Sequence, residues 1–473
     1  MQGANLSDLP PERKRGEKMF WKISKKFQVS AEKIIPDAIV FCLGLTVVIY
    51  IVGLFVPGSN PITMINGWYN SMWEQLGFAC QMSLLVLFTS AAAQAPQIRK
   101  ILGKVAKIPK TRVSAILCII IFGFVSGLIN WAFCMILVPI FAKEVCRVNK
   151  EIHFPLMIAV GYATMPLSQT ICPSESAYAL LASPDHFMVD RIGVLSAGQT
   201  SLSPLSFAVF GCVAVAITVV TLLIKPPKEE IISYNGEADI EEAETPITNK
   251  VKEKLCLADR MNNTKFILPI LGLAGLAVIV MTVAKNGFID SLSLNFVIFC
   301  FLVLNLFLYL TPINFMAAME ESISSVVGVM IQFPLYGGIM GIMQSSGLTT
   351  VISNALVSLC NLRTFPPVAF ISAAIVNVFI PSQGGQWLVQ GPFLVDAAEK
   401  LGANIPTMVN AFCHGDECTN LINPLYMIPA IAMVKLKLKD VWGFMAFYSL
   451  IWMVVAILAF LTLPTIMGVA AVL

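Results

Sequence analysis

Residues 377–392 read Asn377-Val-Phe-Ile-Pro-Ser-Gln-Gly-Gly-Gln-Trp-Leu-Val-Gln-Gly-Pro392, and they interrupt a long apolar segment without adding a charge. A lipid-exposed helix does not carry such a run, because non-helical backbone at membrane depth survives only against protein or a water-filled cavity. The break therefore predicts a place where a solute meets irregular backbone inside a membrane.

The composition of the whole chain agrees with a membrane location. Of 473 residues, 57% are hydrophobic and 12% are charged, and the mean hydropathy is +0.79. These values are typical of an all-α polytopic membrane protein and exclude an ordinary soluble domain. About nine apolar runs are long enough to cross roughly 30 Å of hydrocarbon. They lie at about 34–56, 76–93, 154–183, 203–224, 266–284, 292–310, 323–345, 406–432 and 441–464.

Two further apolar stretches, 113–142 and 365–399, are each too long for one span and are each interrupted near the middle. We interpret both as re-entrant hairpins, which enter and leave the membrane on the same side. Cytoplasmic loops retain an excess of Lys and Arg. With both hairpins re-entrant, 27 of the 31 Lys and Arg residues lie on the cytoplasmic side, against 20 if both hairpins cross fully. The N-terminus is then inside and the C-terminus outside.

The two halves of the chain resemble one another at a near-constant offset. A shift of 251 matches Pro155 to Pro406 and pairs Gln169 with Asn420. One additional span starts the second half from the opposite membrane face, which makes the repeat inverted. The predicted parts are a cytoplasmic amphipathic segment lying on lipid, a first membrane repeat, a cytoplasmic linker, a topology-inverting helix and a second membrane repeat. Their ranges are 1–33, 34–224, 225–265, 266–284 and 285–473.

Four interrupted elements converge in this arrangement, namely the two hairpin tips and two broken spans. Backbone N–H groups at the Gly-Gly break precede a helix N-terminus, which predicts a site for a small carboxylate. The candidate substrate-binding residues are the polar, aromatic and glycine residues at these interruptions. They are Asn130, Trp131, Ser168, Gln169, Asn377, Ser382, Gln383, Gly384, Gly385, Gln386, Thr419 and Asn420.

Asp416 and Glu417 lie about 15 Å into their span, near the middle of the bilayer. An ionisable residue there is costly unless it is paired, protonated or hydrated. We expect one of them to couple transport to H⁺ or Na⁺, with His414 able to share a proton; the alternative is a wet end of a broken helix. No Lys or Arg lies within a predicted span or hairpin. This favours a monoanion whose charge is compensated by neutral donors and a co-transported cation.

Other functional classes find less support in the sequence. The chain has no GxSxG, no HExxH and no paired metal motif, so we expect neither an enzyme nor a cofactor or metal site. We also expect no nucleic-acid partner. A dicarboxylate or amino-acid carrier of the same architecture stays open as the alternative substrate class. A channel would instead show flux that neither saturates nor couples to a gradient.

Several motifs in one order resemble the bacterial short-chain fatty acid transporter family. They are Pro36-Asp37, Asn130-Trp131-Ala-Phe, Phe141-Ala-Lys-Glu-Val145, Ile331-Gln-Phe-Pro334 and the stretch from Asn377 to Phe393. The resemblance implies a symporter of the bacterial inner membrane for butyrate or acetoacetate, within the inverted-repeat ion transporters. It also implies a scaffold, a moving transport domain and a homodimer. Gln383 and Gln386 depart from the family pattern, which resembles Ser-Gly-Gly-Gly-His-Trp at this tip.

Overall fold

The protein is all-helical in its computed structural model, which confirms the predicted fold class. Over the described residues, the only other regular feature is an isolated bridge between Ala403 and Ala471. The segment predicted for 1–33 and most of the linker 225–265 lie outside this description. The described residues are 38–149, 152–224, 226, 231–234, 256–288, 291–378, 380, 382–423, 427, 431, 434, 436 and 438–471.

The described part of the first half contains helices α1 to α10. They are α1 Ala38–Leu54, α2 Pro61–Glu74, α3 Leu76–Gln94, α4 Pro96–Val105, α5 Arg112–Ile129, α6 Trp131–Val148, α7 Phe154–Gln169, α8 Ser176–Leu181, α9 Val189–Ile192 and α10 Pro204–Leu223.

The remainder of the described chain contains helices α11 to α20. They are α11 Leu257–Asn262, α12 Ile267–Asn286, α13 Leu294–Tyr309, α14 Pro312–Ser322, α15 Val327–Ser345, α16 Leu348–Leu359, α17 Phe365–Asn377, α18 Gln383–Leu401, α19 Ile405–Asn420 and α20 Leu438–Ile466.

The helix boundaries follow the offset of 251 that the sequence predicts. Shifting α3 by 251 gives the bounds of α15, and shifting α7 gives those of α19. The shifted α2 covers α14 together with the 3-10 turn Ile323–Ser325 that follows it. The sequence analysis placed no helix at α2 or α14, because both are short and carry polar residues. Their matching positions support duplication of a larger unit than the apolar spans alone.

Six helices are long and apolar enough to cross a membrane by length and composition, among the described residues. They are Leu76–Gln94, Arg112–Ile129, Pro204–Leu223, Leu257–Asn286, Val327–Ser345 and Asp440–Ile466. One of them, α5, forms the first arm of a predicted hairpin, and its 18 residues extend about 27 Å. A helix of this length could also cross the membrane fully. The re-entrant geometry, the nine crossings and the membrane sides of the N- and C-termini therefore remain predictions.

Local capping explains why each hairpin breaks where it does. Asn130 is extended, with φ −174°, and its Oδ1 accepts a hydrogen bond from the backbone N–H of Ala132 at 2.9 Å, so α5 ends and α6 begins there. Ser382 is also extended and caps α18, accepting from the N–H of Gly385 at 3.4 Å. A side-chain oxygen that satisfies an orphan N–H group fixes a helix start at each tip.

The helices pack both within and between the two halves. Within each half, the first hairpin arm lies on the broken helix, α5 on α7 and α17 on α19. Between the halves, α2 lies on α15 and α14 lies on α3. Gly337 and Gly338 on α15 allow the close approach of α2. A Cβ on Gly337 would lie 2.6 Å from the carbonyl oxygen of Ser71, and one on Gly338 would lie 2.7 Å from Trp68. Each duplicated long helix is thus held by the short helix of the other half.

Candidate functional site

A cavity of about 180 Å³ lies where the ends of α7, α18 and α19 meet α3 and α15. This volume has room for several water-sized groups. Its wall is apolar on one part and polar on another. The lining residues are Met82, Trp131, Met165, Gln169, Glu175, Ser176, Ser325, Gly328, Val329, Gln332, Phe333, Ser382, Gln383, Glu417 and Asn420.

The structure brings parts of all four predicted interruptions to this cavity. Six of the predicted site residues line it. The first hairpin tip contributes Trp131, the second contributes Ser382 and Gln383, and the broken helices contribute Gln169, Glu417 and Asn420. The other nine predicted residues lie behind this layer or away from it. That these six residues contact the substrate remains a prediction.

Glu417 is the carboxylate that α19 presents to the cavity. Its Oε1 accepts from the Gln383 amide at 3.2 Å, and its Oε2 accepts from the Asn420 amide at 3.0 Å. The Gln383 carbonyl oxygen accepts in turn from the backbone N–H of Ala177 at 3.2 Å. Because Ala177 belongs to the first half, this contact fixes the orientation of the Gln383 amide and joins both halves at Glu417.

Asn377, at the end of the first arm of the second hairpin, supports this carboxylate from behind. Its Nδ2 donates to the backbone oxygen of Asp416 at 2.7 Å, to Thr419 Oγ1 at 3.0 Å and to Asn420 Oδ1 at 2.8 Å. These bonds hold the last turn of α19, and the bond to Asn420 leaves the amide of Asn420 directed at Glu417. Asn377 and Thr419 therefore position the site without lining the cavity.

Asp416 differs from its neighbour Glu417 in its surroundings. Its side chain is fully buried, and neither carboxylate oxygen has a hydrogen-bond partner among the described residues. An ionised carboxylate in such a place would pay the full cost of desolvation, so the neutral acid is the form that fits. The two adjacent acids thus occupy different environments.

His414 lies apart from the cavity. Its ring packs edge-on against Trp452 and Phe460, with centroid distances of 6.0 and 5.4 Å. Neither ring nitrogen has a hydrogen-bond partner among the described residues. The predicted proton sharing with Asp416 or Glu417 therefore finds no contact to support it, and the imidazole occupies an aromatic pocket.

Three residues of the second tip pack against protein. A Cβ on Gly384 would lie 2.9 Å from the Cβ of Ser176, and one on Gly385 would lie 2.3 Å from the ring of Tyr336. Gln386 donates to the backbone oxygen of Ala373 at 2.9 Å and so joins the two hairpin arms. The two glycines thus allow the tip to approach neighbouring helices closely.

Three predicted site residues of the first half, Asn130, Ser168 and Gln169, form hydrogen bonds within their own half. Gln169 donates to the backbone oxygen of Gly127 at 2.9 Å and to Ser168 Oγ at 3.1 Å. Ser168 donates to the backbone oxygen of Met165 at 2.6 Å and is fully buried. Asn130 caps α6 through its oxygen, while its Nδ2 has no partner among the described residues. Only Gln169 of these three predicted site residues reaches the cavity.

Sequence reasoning missed four polar residues of the lining, namely Glu175, Ser176, Ser325 and Gln332. Glu175 is 5% exposed and accepts from Ser176 Oγ at 2.8 Å. It follows the turn after α7, where the sequence suggested only the outer end of a span. Gln332 lies on α15, within an apolar run in which an isolated amide was the available signal. Across the described residues, no group of three His, Cys, Asp or Glu side chains could hold a metal ion.

Comparison with known proteins relates the chain to carriers of short-chain fatty acids. Residues 19–463 match the family model described as short chain fatty acid transporter. Two curated relatives, both named as short-chain fatty acid transporters, cover 90% of this chain and 96% of their own length. The protein from Escherichia coli (strain K12) is 29% identical, and the one from Haemophilus influenzae (strain ATCC 51907 / DSM 11121 / KW20 / Rd) is 30% identical.

Two solved structures have a similar fold. The Alcanivorax borkumensis YdaH transporter, described as having an unusual topology, superposes with a TM-score of 0.60 over 92% of this chain and 99% of its own. Neisseria gonorrhoeae MtrF, described as illuminating a class of antimetabolite efflux pumps, gives 0.52 over 93% and 97%. Both are 14% identical to this chain, so the likeness concerns the fold alone.

Proposed function

This chain belongs to the short chain fatty acid transporter family, and we propose that it is a secondary active transporter of small monocarboxylates such as butyrate and acetoacetate. It is a multi-pass protein of the bacterial inner membrane and not an enzyme. The proposal adds the class of substrate, its coupling to a cation and the residues that bring the two together.

One observation carries the proposal: the cavity is lined by two carboxyl groups, Glu175 and Glu417, and by no Lys, Arg or His among its described residues. With both carboxylates ionised, a monocarboxylate entering this space would be repelled by like charges that water screens poorly. Binding of the anion therefore requires a cation on the protein. That requirement is the physical basis of symport.

A proton fits this role better than Na⁺. The Gln383 and Asn420 amides direct N–H groups at Glu417, and their carbonyl oxygens are committed to Ala177 and Asn377. A sodium ion would need oxygen atoms turned towards it. A protonated Glu417 keeps both amide bonds and gains an O–H that donates to the substrate carboxylate. Glu417 is thus the proposed coupling residue, with the neutral Asp416 behind it.

The remaining cavity wall suits a short alkyl chain. Met82, Met165 and Phe333 supply an apolar surface, and Phe333 is itself fixed by a ring contact with Phe78 at 5.3 Å. Helix α18 begins at Gln383, which lines the cavity beside Ser382, so the helix dipole there favours the carboxylate. A small acid with one charged end and one apolar end matches both parts of the wall.

Uptake by the purified protein in liposomes tests this function. We expect labelled butyrate and acetoacetate to accumulate under an inward proton gradient, after subtraction of the passive flux in protein-free liposomes. A Na⁺ gradient at equal pH serves as the second arm, and unlabelled dicarboxylates and amino acids serve as competitors. Absence of accumulation under both gradients would refute the proposal, and competition only by dicarboxylates or amino acids would assign the other substrate class.

A further inference from the structure

Gln332 is a polar residue on α15 whose side chain reaches the cavity without being used by the protein. It is half-buried, lines the cavity, and has no hydrogen-bond partner among the described residues. The other three lining amides, Gln169, Gln383 and Asn420, each donate to a protein oxygen. Gln332 is therefore the lining amide that leaves both N–H donors available.

The duplicated helix shows what this position does when it serves structure. Under the shift of 251, Gln332 corresponds to Gln81 on α3. The Gln81 amide donates to Asn295 Oδ1 on α13 at 2.9 Å. The same side chain at the same register thus ties two helices together in one half and faces the cavity in the other.

The unbonded Gln332 amide on a helix long enough to span the membrane carries an energetic cost. Removing an amide from water without giving it a hydrogen bond costs roughly 1–3 kcal/mol in proteins. Water in the cavity meets this need while the site is empty, and a substrate with hydrogen-bond acceptors meets it when the site is filled. A carboxylate presents two acceptor oxygens, which match the two N–H groups of a carboxamide.

Gly328, one turn before Gln332, keeps this amide uncovered. It also lines the cavity, and a Cβ built on it would meet only the Gln332 Nε2 atom, at 3.9 Å. A side chain added at 328 would therefore start beside the amide, at the cavity wall. The corresponding glycine of the first half, Gly77, has no neighbour within 4 Å and does not line the cavity.

We propose that the Gln332 amide is a direct ligand of the substrate carboxylate and that Gly328 leaves the approach to it open. This inference rests on the proposed function and extends it to α15, which none of the predicted binding residues occupies. A neutral amide adds hydrogen bonds without adding charge. It thus suits a carrier whose substrate anion is balanced by a bound proton rather than by a fixed cation.

Counterflow of labelled acetoacetate in proteoliposomes tests the inference. Gln332→Leu removes the donors at similar size, and we expect KM to rise about ten-fold or more, with the maximal rate within about two-fold. Gly328→Leu, which leaves the amide in place but covers it, should raise KM similarly. The matched controls are Gln81→Leu, which loses the bond to Asn295 but should keep the wild-type KM, and Gly77→Leu.

The outcomes separate the two proposals. If wild-type protein shows no saturable counterflow of monocarboxylates, the proposed function fails. If the wild type transports and KM in both Gln332→Leu and Gly328→Leu stays within about two-fold of wild type, the inference fails. Should Gln332→Leu not be recovered as folded protein, Gly328→Leu decides alone, because the carbon added at 328 meets only the Gln332 amide within 4 Å. An equal rise of KM in the first-half controls would also overturn the inference.

Discussion

The two helix breaks of the first half and the two of the second half have the same framework and different chemistry. The broken helices α7 and α19 both have 16 residues, yet where α19 carries Asp416 and Glu417, α7 carries Met165 and Pro166. At the first-half break, the polar side chains of Ser168 and Gln169 form hydrogen bonds within the protein. At the second-half break, Glu417 presents a carboxylate to the cavity. Duplication supplied two scaffolds, and the ionisable residues within the broken helices lie in one of them.

A second difference concerns how tightly each broken helix meets its hairpin arm. In the first half the contact is between Gly127 on the arm and Ser168 on the broken helix, where an added Cβ would lie 1.8 Å from the hydroxyl oxygen. In the second half the glycine is on the broken helix, and an added Cβ on Gly415 would lie 2.1 Å from the backbone oxygen of Phe370. A side chain can be exchanged to relieve such an overlap, whereas the backbone of a packed helix cannot.

The largest effect on stability is therefore expected for Gly415→Ala. Alanine normally stabilises a helix relative to glycine by about 0.5–1 kcal/mol, but overlap with backbone reverses the sign. We expect a loss of about 3 kcal/mol, measured as a lower melting temperature of the detergent-solubilised protein. Gly211→Ala on α10, where no atom lies within 4 Å of the added carbon, is the matched control and should not lower it. Equal stability of the two variants would contradict the packing described for Gly415.

Exchange of the pair in the first half sharpens the comparison. Gly127→Ala alone should destabilise the protein, and Gly127→Ala with Ser168→Gly should recover part of the loss, because the methyl group then occupies the space vacated by the serine side chain. No second substitution can do the same for Gly415, since its partner is backbone.

A smaller effect is expected from the asparagines at the hairpin tips. Asn377→Ala removes three hydrogen bonds behind Glu417 and should cost about 2 kcal/mol. Asn130→Ala removes one helix cap and should cost about 1 kcal/mol. Thermal unfolding of both variants, with Ser358→Ala at an exposed position on α16 as a neutral reference, measures the difference. A larger loss for Asn130→Ala would contradict the assignment of Asn377 as the more heavily bonded residue.

The sequence predicted the long helices and the breaks well, because an apolar run and its interruption by Asn130 or Ser382 are local features. It missed α2 and α14, because these short helices carry polar residues and do not form an apolar run. They are stabilised by packing against α15 and α3. It also could not separate residues that line the cavity from residues that support it, such as Asn377. That distinction depends on which neighbour takes each hydrogen bond, and this is a tertiary property.

The sequence also could not distinguish the roles of equivalent residues in the two halves of the chain. Gln332 and Gln81 are equivalent in sequence register, and only the packing of α13 against α3 shows that one amide is occupied and the other is available. Glu175 follows the turn after α7, inside the run 154–183 that hydropathy predicted as one span. The sequence therefore predicted where the site forms, and the fold distributes the roles among its residues.

Gradient-driven uptake by Glu417→Gln tests the central claim most directly, namely that a proton on Glu417 permits the substrate anion to bind. Glutamine imitates the protonated acid at all pH values. We predict that the variant exchanges labelled for unlabelled acetoacetate across the liposome membrane but does not accumulate it under an inward proton gradient, whereas the wild type does both. Accumulation by Glu417→Gln at the wild-type level would contradict the account.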